Sequence, residues 1–290
     1  MANIAHRFAA ATSGDDLSWL VSPPHVYFRV MELVQGSDAS AEDIAKVIRQ
    51  DPSLTARLLK VVNGSFYQVT TRIDTVSRAV AVVGARTLQL LVTAVYAVDK
   101  FDKIESGLVN MGTFWRHSFY TGLLAHGLAR RCQVLHPERL FVAGLLHDIG
   151  SLVLYLRAPD VSRRLLLVAD GDEQTLNRAE LKTLGFSHAE LGGDLLKSWL
   201  LPETLQKAVR WHHNPERAGI GRLDAAIVHI ADSLANRSRL TAFCGQPAEV
   251  IAIDARALET LSQVRGQLNQ EEVVQEATLQ LAEIELFFGY

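Results

Sequence analysis

The chain has 290 residues, of which 48% are hydrophobic and 21% are charged, and its formal net charge is −3. This composition is typical of a globular protein with a sizeable hydrophobic core, and the length allows one large domain or two smaller ones. Because the chain has no bulk positive charge, its composition gives no support to nucleic-acid binding or to attraction by an acidic membrane.

Signals for export and for membrane insertion are weak. The N-terminal segment 1–19 lacks the sustained apolar region of a signal peptide. The longest apolar run, Leu90–Val98, is shorter than the ~18 residues that a membrane span requires. Cys132 and Cys244 are too few and too far apart to suggest a disulfide framework. The sequence therefore predicts a cytoplasmic protein.

Helical periodicity is nearly continuous along the first half of the chain, and strand signals are scarce. Asp51 followed by Pro52 predicts the end of one helix and the N-cap and first residue of the next. Gly84 separates two further apolar helices. The first half of the chain is therefore predicted to be helical.

The second half of the chain continues the helical pattern. One helix is predicted from Met111 to about Arg131, and another begins at Pro137. Gly185 and Pro202 divide the following stretch into short helices, and a further helix is predicted from Leu223 to Leu240. The tail, residues 241–290, is predicted as two helices joined near Asn269. Polar and glycine residues around 98–112 separate the two halves.

One apolar helical stretch, "VAGLLHDIGSL" from Val142 to Leu152, is interrupted by two polar residues, His147 and Asp148. An ionised carboxylate is costly to bury alone, and a buried imidazole needs hydrogen-bond partners. On a continuous helix the two side chains diverge by about 100°, so they can approach one centre from two sides. A metal ion is one way to compensate such a pair.

Seven side chains are candidate metal ligands: His117, His147, Asp148, His188, His212, His213 and Asp232. Imidazole nitrogen and carboxylate oxygen suit transition metals such as manganese, iron, nickel and zinc. Asp148 has two oxygens and can therefore bridge two ions. The seven residues lie on five helical segments, so a site requires a helical bundle that brings them together.

Each candidate also has an ordinary structural interpretation. A lone histidine on an apolar helix, such as His229, is more often a hydrogen-bonded core residue. His212 and His213 favour the negative end of a helix dipole. Asp232 is placed to pair with Arg237 on the following turn. Only the joint pattern favours a metal site over these alternatives.

That joint pattern resembles the H…HD…H…HH…D signature of the HD superfamily. The strings "WRHS", "AGLLHDIG" and "AIVHIAD" are similar to the HDOD family, and so is "QDPSLTARLLKVVNGSFY" in the N-terminal half. The resemblance covers about Leu20 to Arg237. It implies an all-α fold with an N-terminal helical lobe (20–105) packed on an HD-like helical bundle (106–240), followed by a C-terminal helical extension (241–290).

The resemblance also implies a function. It indicates a regulatory output module of bacterial signal transduction, with signalling proteins as partners and no required catalysis. Four residues correspond to the basic HD site, namely His117, His147, Asp148 and Asp232. His188, His212 and His213 correspond to the extra ligands of two-metal members. The implied cofactor is a mononuclear or dinuclear transition-metal centre, with iron first and manganese, nickel or zinc as alternatives.

The alternative is a metal-dependent phosphohydrolase that acts on a phosphodiester or a cyclic dinucleotide, with Arg116 and Arg210 as candidate phosphate-binding residues. Two departures weaken it. Ser151 stands where the related cyclic-dinucleotide phosphodiesterases usually have a lysine, and the Gly-Tyr-Pro loop of that branch is absent. A third interpretation is a metal-free scaffold whose histidines and aspartates satisfy one another.

Overall fold

The structure is a computed structural model that describes residues 25–36, 39–64, 67, 71–102, 107–240, 253–265 and 269–288. The predicted segment 1–19 and Cys244 lie outside these residues. The α-helices in the described part are α1 (His25–Gln35), α2 (Ala41–Ile48), α3 (Pro52–Asn63), α4 (Val76–Val83), α5 (Ala85–Phe101), α6 (Met111–Arg131), α7 (Glu138–Leu146), α8 (Ile149–Arg157), α9 (Pro159–Ala169), α10 (Glu173–Leu184), α11 (His188–Ser198), α12 (Glu203–Arg210), α13 (Arg222–Arg237), α14 (Ala255–Arg265) and α15 (Gln270–Phe288). A 3₁₀ segment, Pro215–Gly221, precedes α13.

Helices α1 to α5 form the N-terminal part, and local signals set their boundaries. The Asp51 side chain accepts a hydrogen bond of 3.0 Å from the backbone N–H of Leu54, which confirms the predicted N-cap. Gly84 has φ +84°, a conformation that favours glycine, and it turns the chain sharply between α4 and α5. Helix α5 is largely buried and packs against α1, α3, α4 and α7. It therefore joins the N-terminal helices to the rest of the fold.

Helix α6 is the central helix of the second part and packs against α7, α13 and α15. One hydrophobic core extends through the N-terminal helices, the bundle and the C-terminal helices, from Tyr27 to Leu281. The Tyr27 hydroxyl donates a 2.5 Å hydrogen bond to the carbonyl of Trp199, which ties α1 to the residue after α11. The predicted all-α fold, a helical lobe packed on a helical bundle, is confirmed.

One stretch of the described residues, Glu138–Arg157, is long and apolar enough to cross a membrane. It consists of α7, α8 and the turn between them, and 89% of its apolar window is buried inside the protein. Helices α4 and α5 meet the same criterion only as a pair bent by 118°. Both helices of the stretch Glu138–Arg157 therefore belong to the buried core.

The expectation of one continuous helix through "VAGLLHDIGSL" is wrong. Helix α7 ends at Leu146, α8 begins at Ile149, and His147 and Asp148 form the turn between them. The His147 ring bonds the carbonyl of Gly144 at 2.7 Å, and in an uninterrupted helix that carbonyl accepts the N–H of Asp148. The break places both side chains at the end of α7, where they face the bundle interior.

Helix α8 approaches α11 closely because Gly150 has no side chain. A Cβ at Gly150 would overlap the carbonyl of His188 and lie 2.7 Å from the backbone nitrogen of Gly192. No methyl group fits there without moving α11. This close approach brings the start of α11 beside the turn that carries His147 and Asp148.

We expect Gly150→Ala to lower the free energy of unfolding by about 3 kcal/mol, the upper range for overpacking a tight contact. Gly36→Ala is the matched control, since its Cβ would lie no closer than 3.3 Å to any neighbour, with the Glu32 carbonyl at 3.3 Å and the Leu33 carbonyl at 3.6 Å. That change should cost less than about 1 kcal/mol. Urea denaturation at a fixed metal concentration measures both values, and equal costs for the two variants would contradict the close contact.

Candidate metal centre

The structure brings all seven predicted ligand residues together at one buried point of the bundle. His117 lies on α6, His147 and Asp148 on the α7–α8 turn, His188 at the start of α11, His212 and His213 on the turn after α12, and Asp232 on α13. Six of these residues are at most 3% exposed, and His213 is half-buried. Convergence of this kind could not be read from spacing in the sequence.

Three side chains form what we call the first half-site: His117, His147 and Asp232. Nε2 of His117 lies 3.3 Å from Nε2 of His147 and 3.3 Å from Oδ1 of Asp232, and His147 Nε2 lies 3.6 Å from the same oxygen. Metal–ligand bonds of about 2.1 Å at tetrahedral or octahedral angles place neighbouring ligand atoms about 3.0–3.4 Å apart. The spacing therefore fits one metal ion.

The second half-site consists of His188, His212 and His213. Nε2 of His188 lies 2.9 Å from Nε2 of His213, and the rings of His212 and His213 have centroids 4.0 Å apart. One nitrogen from each of the three rings can be chosen so that the three atoms lie within 4.8 Å of one another. The capping box of Ser187 and Glu190 fixes the first turn of α11, and with it the position of His188.

Asp148 lies between the two half-sites and faces each with a different oxygen. Its Oδ2 lies 3.4 Å from Nε2 of His147 in the first half-site. Its Oδ1 lies 3.3 Å from Nε2 of His188 and 3.9 Å from Nε2 of His212 in the second. This is the arrangement of a carboxylate that bridges two ions.

Hydrogen bonds on the outer ring nitrogens fix the orientation of the histidines. Nδ1 of His117 bonds the Leu240 carbonyl at 2.5 Å. Nδ1 of His147 bonds the Gly144 carbonyl at 2.7 Å, and Nδ1 of His212 bonds the Val209 carbonyl at 2.7 Å. Carbonyls only accept, so each Nδ1 carries a proton, and each ring in its neutral form presents the Nε2 lone pair to the centre.

The inward-facing nitrogens need a positive partner. Two lone pairs that face each other at 3.3 Å, as in His117 and His147, repel unless a proton or a metal ion lies between them. Nε2 of His212 is buried and has no hydrogen-bond partner among the described residues. A cation at the centre would satisfy all of these atoms, so the donor set fits a transition-metal ion.

In the metal-free centre, the neighbouring histidines keep Asp148 and Asp232 ionised. Burial opposes ionisation of Asp148, but His147 and His188 hold its pKa below the usual range. Burial alone would lower the pKa of His188, yet Glu180 and Asp148 raise it to about 10. Burial and the charge of His147 lower the pKa of His212 to about 3. Protons and metal ions therefore compete for the same nitrogens, because a ligating histidine must be neutral.

Sequence reasoning missed two carboxylates of α10 that contact this centre. Glu180 is 2% exposed and bonds the Nδ1 of His188 at 2.7 Å. On the other side, an oxygen of Glu173 lies within 4.8 Å of the ligand atoms of His117 and Asp232. The signal was present for Glu180, since it lies one helical turn after Leu176 on an otherwise apolar face.

The two predicted phosphate-binding arginines are not part of the cluster that the seven ligand residues form. Arg116 is exposed, whereas the adjacent His117 is fully buried. Arg210 forms an ion pair with Asp194 of α11. Ser151, at the place of the expected lysine, is 3% exposed. The phosphate-binding role of the two arginines stays a prediction.

Comparisons with known proteins agree with this fold. The family model of the HDOD domain matches residues 20–215. An uncharacterised protein from Treponema pallidum (strain Nichols) is 30% identical over 209 residues, which make up 71% of this chain and 40% of the relative. The chain therefore spans about 40% of the length of this curated relative.

Two solved structures share nearly the whole fold. An HDOD domain protein of unknown function from Geobacter sulfurreducens is 24% identical with a TM-score of 0.76, covering 98% of this chain and 97% of that one. A candidate phosphohydrolase from Shewanella amazonensis SB2B is 23% identical with a TM-score of 0.72, covering 98% of both chains. The family match, the helical fold and the His–Asp pattern lead to one conclusion: this chain is a member of the HDOD domain family.

Proposed function

We propose that this protein is a regulatory HDOD module of bacterial signal transduction whose buried His–Asp centre binds one or two transition-metal ions, iron first among them. The observation that carries the proposal is the closed set of inward-facing ligand atoms in the two half-sites. The ligands come from separate helices, so bound metal contributes its binding free energy to the packing of those helices. Metal loading or the oxidation state of iron then becomes a signal that the fold can transmit to a cytoplasmic partner protein.

Burial of the centre favours regulation over catalysis. A cyclic dinucleotide needs an open cleft with cationic groups that hold its phosphates. Here six of the seven ligand residues are at most 3% exposed, and only His213 is half-buried. Arg210 is engaged by Asp194, and a serine replaces the lysine of the related phosphodiesterases.

Phosphoester hydrolysis is the second candidate function, and one observation favours it. Asp148 lies between two half-sites, which is the ligand arrangement of two-metal hydrolases. When bound there, two ions would polarise a phosphoryl oxygen and lower the pKa of a bound water. The structural neighbour from Shewanella amazonensis is named as a candidate phosphohydrolase.

The test is a hydrolysis assay on untagged protein loaded with iron(II) or manganese(II). The substrates are bis(p-nitrophenyl) phosphate and cyclic di-GMP, and Asp148→Asn is the blank. We expect no turnover above the blank, together with a rise in thermal stability on metal loading. Turnover that depends on Asp148 would replace the regulatory proposal with the hydrolase.

A further inference from the structure

Helices α9 and α10 form a hairpin that is only loosely attached to the main core. They pack on each other through a small separate cluster of Leu165, Ala169 and Leu176. Leu166 and Leu184 also contact the main core. Apolar burial therefore fixes the hairpin less firmly than it fixes α6, α7 or α13.

Polar contacts attach the hairpin to the candidate metal centre. Glu180 accepts two hydrogen bonds from His188, one from the backbone N–H at 2.8 Å and one from Nδ1 at 2.7 Å. The other three oriented rings of the centre bond to neutral carbonyls instead. A carboxylate at this position makes the ring a stronger ligand and fixes its direction.

Glu173 reaches the other half of the centre. Its carboxyl group lies beside Asp232, and an oxygen of Glu173 lies within 4.8 Å of the ligand atoms of His117 and Asp232. Its Oε1 is buried and finds no hydrogen-bond partner in the part of the chain that the structure describes. Two neighbouring carboxyl groups, one with a buried unsatisfied oxygen, form a site that a cation would stabilise.

The two glutamates are seven residues apart on α10, which is close to two helical turns, so they share one face of the helix. We propose that α10 contributes two residues to the metal centre: Glu173 is a further ligand of the first half-site, and Glu180 positions His188 in the second. Metal binding then fixes the α9–α10 hairpin, which is the mobile element that reports metal occupancy. This inference rests on the proposed metal centre.

The test uses the full chain and cobalt(II) alone, with affinity measured by chelator competition and visible absorption. Glu180→Gln keeps a hydrogen-bond acceptor and removes only the charge, so we expect the second half-site to lose about 10- to 100-fold in affinity. Glu173→Gln should weaken the first half-site by at least about tenfold and change the cobalt spectrum, since an oxygen ligand is lost. Glu173→Asp keeps the ligand on a shorter arm and should lie between wild type and Glu173→Gln.

Asp160→Asn is the matched control, because Asp160 is an exposed carboxylate on the same hairpin. It should leave both affinities and the cobalt spectrum unchanged. Amide hydrogen exchange shows which part of the chain the metal stabilises. Cobalt should slow exchange in residues 159–184 of wild type and Asp160→Asn, and it should slow it much less in Glu173→Gln. Circular dichroism confirms that each variant is folded.

The outcomes separate the two proposals. Cobalt binding with wild-type affinity in folded Glu173→Gln and Glu180→Gln, or hairpin exchange indifferent to cobalt, overturns the role of α10 and leaves the metal centre standing. No cobalt binding by the wild type overturns both. The inference is supported if the glutamate variants bind cobalt more weakly than wild type and exchange faster in the hairpin, while Asp160→Asn behaves as wild type.

Discussion

Asp148→Asn is expected to lose metal from both half-sites, with affinities reduced more than about 100-fold, beyond the usual range for an outer-shell change. The physical reason is that its two oxygens face different half-sites, at 3.4 Å from His147 and 3.3 Å from His188. Asparagine has nearly the same size, so the packing is preserved while the charge and one acceptor are removed.

Two further variants separate the half-sites. His117→Ala removes a ligand of the first half-site, and His213→Ala removes a ligand of the second. Each should lose about one ion and keep the other. Elemental analysis of folded, untagged proteins measures this. If Asp148→Asn lost no more metal than either histidine variant, Asp148 would not be a bridging ligand.

Removal of metal is expected to produce the second large effect, a loss of stability. A ligand that binds only the folded state at 1,000 times its dissociation constant adds about 4.1 kcal/mol to the free energy of unfolding. The centre joins α6, α11, α13 and the α7–α8 turn, so this free energy acts on the whole bundle. Chelation should therefore lower the denaturation midpoint of the wild type strongly.

Asp148→Asn is the control for this effect, since it should show the same midpoint with metal and with chelator. Denaturation curves for both proteins, each measured in both conditions, give the comparison directly. Equal sensitivity to chelator in the two proteins would mean that metal acts elsewhere on the chain.

Local sequence signals predicted the helices and several of their ends. The Asp51 cap and the turn at Gly84 need only a few neighbouring residues, and the structure confirms both. The turn at His147 and Asp148 was not predicted, because it depends on a side chain that bonds its own helix and faces a centre built from distant helices.

The seven-residue pattern indicated the site, but contacts across the fold complete it. The Leu240 carbonyl accepts a hydrogen bond from His117, which lies 123 residues earlier in the chain. Sequence spacing does not predict a partner at such a distance. Glu173 was missed because nothing in one sequence distinguishes a solvated glutamate from one that faces a buried histidine. For Glu180 a signal was present, its position one turn after Leu176 on the buried face of α10. The residue types predicted the chemistry of the centre. The residues that orient its ligands could be identified only from the three-dimensional structure.

The most direct test of the central proposal is the metal content of untagged wild-type protein, purified without chelator and reconstituted anaerobically with iron(II) or manganese(II). The two half-sites and the bridging position of Asp148 predict about two ions per chain, bound tightly enough to survive gel filtration. Folded wild-type protein that retains no metal under both conditions would contradict the account, and the His–Asp cluster would then be a proton-linked core of a metal-free scaffold.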